Sequence, residues 1–275
     1  MPYVTTNDGV ALYYKSWGAG RPVILIHGWP LDADSWDPQA MALAAAGFHA
    51  IAYDRRGFGR SDQPWDGYGY DSLTDDLSAV MAHAGVESDI TLVGFSMGGG
   101  EVARYMRRHR GRGVVKAVLI SSVVPYMLKT DDNPKGVPQE NFDEIMKGIR
   151  SDRAHFFQQI FFPQFFGTGL VSRPVSDELL AACTGIALLA GLKSTLACVE
   201  SFSRTDFRND LNAFDVPTLI IHGTADKIVP IDAAGRAAAN GITGSKLIEY
   251  DDEPHGLFAT ASNRLTKDLL AFLAT

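Results

Sequence analysis

With 275 residues, 46% of them apolar and 21% charged, the chain is long enough for one domain with a sizeable core, or for one domain that carries an insert. A formal net charge of −7 argues against nucleic acid and anionic membranes as partners. No apolar run approaches the roughly 18 residues of a membrane span, and the first residues lack the features of a secretory signal. We therefore expect a cytoplasmic protein in which Cys183 and Cys198 are free thiols.

Short apolar runs along the chain predict a sheet. Residues 10–17 alternate in the manner of an edge strand. The continuous runs that follow are typical of strands covered on both faces, and they span 23–26, 49–54, 90–95, 116–121, 218–223 and 246–251. Helical patterns separate most of these runs, as at 73–81, where Asp71 or Ser72 is the expected N-cap and Gly85 the end signal. This alternation predicts parallel β-α-β units with helices on both faces.

One long segment breaks the alternation. From 127 to 214 no strand-like run is present, and the segment is too long for a loop. We therefore predict a helical cap insert there, with residues 1–126 and 215–275 forming the core. Six phenylalanines crowd into 156–166. They either form the insert's own core or, for a few, line an apolar pocket above Ser96, and both can hold at once.

The run that ends at Phe95 leads into a Gly-x-Ser-x-Gly pattern centred on Ser96. This pattern requires a sharp strand-to-helix turn, and Gly94 and Gly98 permit it because they have no Cβ. The turn sets the Ser96 hydroxyl at a helix N-terminus, where backbone N–H groups face a developing anion. By itself the pattern is weak, since glycine and serine are common in loops.

Two further strand ends supply the partners that a nucleophilic serine needs. Ligands of open parallel sheets bind beyond the carboxyl ends of the strands, and these ends carry Ser96, Asp226 and His255 in that order. His255 would take the serine proton and later protonate the leaving group, while Asp226 would fix the imidazole tautomer. Asp251 and Asp252 are alternative acids, but their closeness to His255 favours a role in shaping its loop.

Chain order and strand-end position favour His255 over the other six histidines. His222 ends a strand shortly before Asp226. His27 opens the stretch His-Gly-Trp-Pro, and the turn at 54–61 reads Asp-Arg-Arg-Gly-Phe-Gly-Arg-Ser. No residues have metal-ligand spacing.

These motifs, in this order, resemble those of the α/β-hydrolases over essentially the whole chain, including a cap after the sixth strand. The resemblance implies an α/β fold with a mostly parallel, eight-stranded sheet flanked by helices. It also implies that His27 and the turn at 54–61 are structural. The strand-to-helix turn at Ser96, here called the elbow, carries aspartate in dehalogenases and epoxide hydrolases. Because this chain has serine there, those two classes of enzyme are excluded.

An acyl-transfer site also needs two N–H donors for the oxyanion. Met97 follows the nucleophile and supplies one. Pro30 has no N–H, so elimination together with the resemblance indicates Trp29 for the other. The expected pocket walls are Trp29, Pro30, Phe95, Val123, Phe202 and Ile228.

Four stretches of sequence resemble those of the cofactor-free haloperoxidase, arylesterase and perhydrolase subfamily, and they span 27–36, 53–61, 94–102 and 250–256. Asp252-Glu253 is the exception, since Gly-Ala is usual there. The resemblance implies an acyl-enzyme route for small aryl and alkyl esters, and peracid formation from a carboxylic acid and hydrogen peroxide. It further implies that no haem, metal or flavin takes part, and that the protein is a trimer or a larger assembly.

Three alternatives remain open. Some members of this subfamily open γ-lactams or act as amidases. A relative that binds a ligand without turnover is the second alternative, although an intact serine, acid and histidine argue against it. The third concerns Pro30, which restricts the backbone of Trp29 toward extended values. It can thereby turn the Trp29 carbonyl toward the site and favour hydrogen peroxide over water, or it can simply stiffen a turn.

Overall fold

An eight-stranded sheet organises the molecule. The computed structural model describes residues 2–169 and 172–275; residues 1, 170 and 171, which fall within the predicted core and cap segments, lie outside the described residues. In chain order the strands β1 to β8 are Tyr3–Thr5, Ala11–Trp17, Pro22–Ile26, His49–Tyr53, Ile90–Phe95, Val114–Ile120, Thr218–Gly223 and Lys246–Tyr250. Their spatial order is β1-β2-β4-β3-β5-β6-β7-β8. The pairs β1–β2 and β2–β4 are antiparallel, and the remaining neighbours are parallel. The predicted mostly parallel sheet is confirmed.

The strand predicted at 10–17 does not lie at the edge of the sheet. β2 pairs with β1 on one side and with β4 on the other, so the edge position belongs to β1. Only Val4 is buried in this three-residue strand. A strand with one buried side chain leaves no alternation to detect in the sequence, which is why β1 was not predicted.

Helices cover both faces of the central strands. Every residue of β3, β5 and β7 is buried, as expected for strands that are packed on both sides. The helices α1 to α10 are Asp37–Ala45, Tyr70–His83, Met97–Arg108, Gln139–His155, Phe162–Phe165, Asp177–Leu189, Leu192–Arg204, Gly235–Gly241, Leu257–Thr260 and Ser262–Leu273. α1 packs against α10, and α2 packs against α3.

The predicted cap of α2 is wrong. Gly69 is the N-cap and makes no side-chain capping bond, so Asp71 and Ser72 lie inside the first turn. The Asp71 carboxylate instead accepts a hydrogen bond from Arg104 on α3, at 2.6 Å. A tertiary partner therefore takes the acceptor that the local sequence offered to the helix end.

Between β6 and β7 the described residues form helices and turns and add no strand to the sheet. α4 to α7 lie here, with a π-helical turn at Phe156–Phe161 between α4 and α5. The six phenylalanines of 156–166 are buried and contact one another, for example Phe157 with Phe162. The division into core and cap at residues 127 and 214 stays a prediction.

In the described ranges, no single helix is long and apolar enough to cross a membrane. α6 and α7 reach the required length and composition only as a pair, and they are bent by 99° to each other. Cys183 on α6 and Cys198 on α7 are free, as predicted, and both are buried. Burial raises the pKa of each thiol to about 12, which keeps both protonated. The cytoplasmic location stays a prediction.

Candidate active site

The turn after β5 is so tight that only small residues fit around Ser96. Ser96 has φ 53° and ψ −118°, a region that residues with a Cβ rarely adopt, and α3 begins at Met97. A Cβ on Gly94 would collide with the carbonyl of Gly98, and a Cβ on Gly98 would collide with the carbonyl of Ile26. The predicted strand-to-helix turn is therefore present, and it lifts the Ser96 hydroxyl to the end of the sheet.

The structure brings Ser96, His255 and Asp226 into one hydrogen-bonded chain. Ser96 Oγ lies 2.9 Å from His255 Nε2, and His255 Nδ1 lies 2.6 Å from Asp226 Oδ2. The three residues follow β5, β8 and β7, and all three are buried. Because a carboxylate only accepts hydrogen bonds, we assign the imidazole proton to Nδ1. Nε2 is then free to accept the proton of the Ser96 hydroxyl.

Asp226 is held by backbone as well as by side chains. Its Oδ1 accepts hydrogen bonds from the N–H groups of Ile228 at 2.9 Å and Val229 at 2.8 Å. Burial acts to raise the pKa of Asp226, but the interactions with His255 and His222 outweigh it and lower that pKa below its usual range. Asp226 is therefore ionised at neutral pH.

The two alternative acids lie outside this chain of hydrogen bonds. Asp251 and Asp252 are both exposed. Asp252 has φ 58°, and its N–H donates to Thr224 Oγ1 at 2.8 Å. The left-handed backbone explains why glycine is usual at this position, and aspartate is one of the few other residues that tolerate it.

Two phenylalanine rings enclose the imidazole of His255. Phe95 lies 5.1 Å away between ring centroids, and Phe165 stands edge-on at 4.8 Å. Phe95 also packs against Trp36 and Phe258, so its side chain supports the imidazole from the core side. Phe165, which lies between β6 and β7, completes this enclosure.

The loop after β3 presses against the serine. A Cβ on Gly28 would lie 3.0 Å from Ser96 Cβ, so the backbone at Gly28 passes directly beside Ser96. Within the described part of the chain, no acceptor is bonded to the N–H of Trp29 or of Met97. Both donors are therefore available to an anion near Ser96.

A buried ion pair ties this loop to the helix of the elbow. Arg55 donates to Glu101 on α3 through Nε at 2.6 Å, and to the His27 carbonyl through Nη2 at 2.6 Å. The Arg55 backbone N–H donates to His27 Nε2 at 3.0 Å. Burial and the charge of Arg55 lower the pKa of His27 well below its usual value, so this imidazole is neutral. His27 and the turn after β4 thus make structural contacts in the loop.

A small apolar cavity of about 30 Å³ lies over the serine. Its lining includes four of the predicted walls, which are Trp29, Val123, Phe202 and Ile228.

Phe95 and Pro30, which were also predicted as walls, are not part of the lining of this cavity. Phe95 directly precedes Ser96, and successive side chains of a strand point to opposite faces, so its ring lies behind His255 instead. Pro30 lies in a turn closed by a hydrogen bond from Leu31 N–H to the Gly28 carbonyl, at 3.0 Å.

Sequence reasoning missed several walls of this cavity. The remaining lining residues are Met127, Phe142, Ile145, Phe161 and Val229. The spacing of Phe142 and Ile145 is that of one helix face, which could have indicated them as a pair. Phe161 shows that one of the clustered phenylalanines reaches the site. Four lining residues also border an outer groove of about 280 Å³, and they are Phe142, Ile145, Phe161 and Ile228.

Metal ligands were not expected from the sequence. In residues 2–169 and 172–275, no group of three or more histidine, cysteine or carboxylate side chains is arranged to hold a metal ion. The expectation that the chemistry needs no metal, haem or flavin stays a prediction.

The family model of the alpha/beta hydrolase fold matches residues 21–262. The chain therefore belongs to the α/β-hydrolase family, and the predicted resemblance is confirmed. It is 42% identical to a non-heme chloroperoxidase of Kitasatospora aureofaciens, over 99% of each chain. It is also 42% identical to a bifunctional esterase/perhydrolase of Acinetobacter calcoaceticus, again over 99% of each chain. These relatives place it in the non-heme haloperoxidase and esterase subfamily.

A solved structure agrees with this placement. The fold matches a bromoperoxidase crystal structure from Bacillus anthracis with a TM-score of 0.95 and 41% sequence identity, covering 100% of this chain and 99% of that one. The sequence and the structure therefore agree on the overall architecture and on the subfamily.

Proposed function

We propose that this protein is a serine hydrolase that cleaves small carboxylic esters through an acyl-enzyme. The observation that carries the proposal is the unbroken chain of hydrogen bonds from Ser96 through His255 to Asp226, with lengths of 2.9 and 2.6 Å. Ser96 is the nucleophile, His255 is the general base and acid, and Asp226 orients the imidazole. A buried relay of serine, histidine and carboxylate linked in this way activates the serine hydroxyl for acyl transfer.

The reaction proceeds in two halves. Ser96 Oγ attacks the ester carbonyl while its proton moves to His255 Nε2, and His255 then returns this proton to the departing alcohol. Water next attacks the acyl-serine in the same way, which releases the carboxylic acid and restores the serine. In each half, the N–H groups of Trp29 and Met97 bind the oxyanion.

The second proposed activity is peracid formation. A carboxylic acid acylates Ser96 with loss of water. Hydrogen peroxide then attacks the acyl carbon, the bond to Ser96 Oγ breaks, and the peracid is released as Oγ regains its proton. The free peracid oxidises a halide ion to hypohalous acid and returns to the carboxylic acid. The support is the 42% identity to an enzyme named as a bifunctional esterase/perhydrolase.

The size of the cavity favours small acyl groups. A volume of about 30 Å³ accommodates roughly two waters, which is comparable to an acetyl or propionyl group rather than a long chain. The walls are mainly apolar side chains, which suits an uncharged acyl group. We therefore propose acetyl and propionyl esters, and acetate with hydrogen peroxide, as the first substrates to test.

The test is a rapid-mixing experiment with p-nitrophenyl acetate. We expect a burst of p-nitrophenol of one equivalent per Ser96, and a mass increase of one acetyl group that Ser96→Ala abolishes. Turnover should survive chelators such as EDTA. A protein that binds the ester without a burst would be a ligand-binding relative, while turnover of a γ-lactam alone would favour the amidase alternative.

The role of Pro30 needs a comparison of two rates. We expect Pro30→Leu to lose peracetic acid formation far more than ester hydrolysis, because proline restricts the backbone of Trp29 beside the acyl carbon. A dye that is halogenated by the peracid product reports the first rate, and p-nitrophenol reports the second. An unchanged ratio would leave Pro30 as a turn residue.

The expected assembly of three or more copies is a separate proposal, and light scattering of the purified protein would test it.

A further inference from the structure

A second histidine contacts the acid of the site. His222, the fifth residue of β7, is fully buried, and its Nε2 lies 3.2 Å from Asp226 Oδ2. The same nitrogen lies 2.9 Å from the carbonyl oxygen of Val229, which is its aligned hydrogen-bond partner. The carboxylate is a second, less well aligned acceptor. Asp226 Oδ2 therefore faces two imidazoles, and only one of them belongs to the proposed relay.

The surroundings of His222 fix its tautomer. Both neighbours of Nε2 are acceptors, so we assign the ring proton to Nε2. Nδ1 is buried and has no hydrogen-bond partner among the described residues. It faces the backbone of α8, where a Cβ on Gly235 would lie only 2.8 Å away. A neutral ring with its proton on Nε2 satisfies these contacts, whereas a second proton on Nδ1 would lack an acceptor.

Other charged groups near this ring are already paired. Glu249 on β8 is in register with His222, and its carboxylate accepts hydrogen bonds from Arg236 on α8 at 2.8 and 2.6 Å. Arg236 also binds Asp232 at 2.8 Å. The remaining titratable groups at this point are Asp226 and, beyond it, His255. Asp226 is therefore the one carboxylate in direct contact with His222 in the described structure.

We propose that His222 is a positioning residue that fixes the Asp226 carboxylate for His255. It holds the carboxylate at both oxygens. The direct contact is to Oδ2, and the indirect one runs through Val229, whose carbonyl accepts from His222 while its N–H donates to Oδ1 at 2.8 Å. This proposal rests on the proposed serine-hydrolase function, because it assigns His222 to the same relay.

The consequence is a defined orientation of the base. A carboxylate that keeps its plane presents a lone pair along the His255 Nδ1–H bond and stabilises the imidazolium that forms during attack. Without His222, Oδ2 loses one of its two contacts, and the Val229 carbonyl is left buried without its donor. Hydrogen-bond partners that orient metal-ligating histidines typically change affinity or activity about 10–100-fold when removed, and we expect an effect of the same order here.

Three variants separate positioning from simple packing. His222→Gln retains an amide donor that reaches the Val229 carbonyl, whereas His222→Leu retains volume without a donor. Ile220→Val lies two residues earlier on the same face of β7 and controls for loss of packing. For His222→Leu we expect kcat for p-nitrophenyl acetate to fall about 10–100-fold with KM nearly unchanged. For His222→Gln and Ile220→Val we expect kcat within about threefold of the wild type.

Two further readouts respond to positioning and not to a merely structural role. The acidic limb of kcat/KM should move to lower pH in His222→Leu, because a misaligned carboxylate stabilises the imidazolium less. In proton NMR, the downfield Nδ1–H signal of His255, assigned by its loss in His255→Ala, should shift upfield in His222→Leu and persist in His222→Gln. A pH limb and a proton signal that stay in place in folded His222→Leu, or a limb that moves to higher pH, would overturn the proposal.

The design distinguishes this failure from failure of the proposed function. Loss of activity in Ser96→Ala establishes the serine hydrolase independently of His222. If the wild type hydrolyses no ester, the NMR signal still tests the positioning role, since it reports the His255–Asp226 bond without turnover. If His222→Leu does not fold, the milder His222→Asn, whose amide is too short to reach Val229, takes its place. Wild-type values in His222→Asn would likewise overturn the proposal.

Discussion

The ring of Phe165 stands edge-on to the imidazole of His255, with ring centroids 4.8 Å apart and an interplanar angle of 79°. Phe165 belongs to α5 in the helical segment between β6 and β7, whereas His255 follows β8. A second link joins the same places, since Gly256 N–H donates to the Phe165 carbonyl at 2.9 Å. The helical segment therefore helps to fix the proposed base.

Replacing Phe165 by leucine should weaken both catalysis and stability. The ring is fully buried, so we expect a loss of about 1–2 kcal/mol in the free energy of unfolding. We expect kcat to fall about 10-fold, because the imidazole gains freedom on one side. Phe156 lies in the same segment, but its side chain does not contact His255. Phe156→Leu should therefore keep kcat. Equal kcat losses in both variants would contradict the link to His255. Urea unfolding and esterase kinetics give the two numbers.

The assignment of the acid is tested by Asp226→Asn. An asparagine keeps the shape but can place a donor opposite His255 Nδ1 and so favour the wrong tautomer. We expect kcat to fall by about 10⁴, as for Ser96→Ala and His255→Ala. Asp251→Asn, an exposed carboxylate in the loop before His255, is the matched control and should keep full activity. Near-normal kcat in Asp226→Asn would mean that another acid serves His255.

At position 96, the residue that is best for the stability of the turn differs from the residue that the proposed function needs. Ser96 adopts φ 53° and ψ −118°, a backbone that glycine accepts at little cost, while a residue with a Cβ loses about 1–3 kcal/mol. Ser96→Gly should therefore be more stable than Ser96→Ala by about 1–2 kcal/mol, although both are inactive. At Ser72, inside α2, the order should reverse, since alanine is the better helix former by about 1 kcal/mol. Thermal unfolding of the four variants tests this. Alanine equal to or more stable than glycine at residue 96 would show that the turn is unstrained.

The pH dependence of stability should include a contribution from Asp32. Burial, together with the charge of Asp54, raises the pKa of Asp32 to about 7. A raised carboxyl pKa means that the folded state holds a proton which the unfolded state releases near pH 4. The resulting stability is complete below about pH 4 and is lost as pH rises toward about 7. Asp32→Asn keeps an acceptor for Asp34 N–H and removes the charge.

Asp32→Asn should therefore be more stable than the wild type at pH 8 and no more stable at pH 4. The gain at pH 8 should not exceed about 4 kcal/mol, since each unit of pKa is worth about 1.4 kcal/mol. Asp66→Asn, at an exposed position, serves as the control and should give the same difference at both values of pH. Urea unfolding across this range is the measurement. A gain that does not depend on pH would show that Asp32 is ionised throughout.

The proposed preference for short acyl chains should depend on Ile145. Its side chain borders both the cavity over Ser96 and the outer groove, so Ile145→Ala should join the two spaces. We expect kcat/KM for p-nitrophenyl hexanoate relative to the acetate to rise about 10-fold. Ile145 is half-buried, whereas Ile149, one turn later on α4, is buried and lines neither space. Ile149→Ala should therefore keep the wild-type ratio. The same increase in both variants would indicate general loosening of the helices.

The sequence by itself determined seven of the eight strands, all but β1, and the order in which the three proposed catalytic residues occur along the chain. Continuous apolar runs mark the strands of a sheet covered on both faces because buried strands need apolar side chains on both sides. The elbow is also local, since Gly94 and Gly98 are required by contacts within a few residues and to the neighbouring strand. The positions directly after β5, β7 and β8 predicted the three site residues, Ser96, Asp226 and His255. Phe165, in contrast, belongs to a cluster whose pattern predicted apolar packing but no particular partner.

Only the tertiary structure decided which side chains meet. The sequence favoured Phe95 as a pocket wall through its closeness to Ser96, but the pleat turns its ring behind His255. His222 had the pattern of an ordinary strand residue, and its contact with Asp226 becomes visible only when the turn after β7 folds back on that strand. Phe161 and Ile145 reach the cavity across more than forty residues of chain from Ser96. Such contacts depend on the packing of distant elements, which local periodicity does not encode.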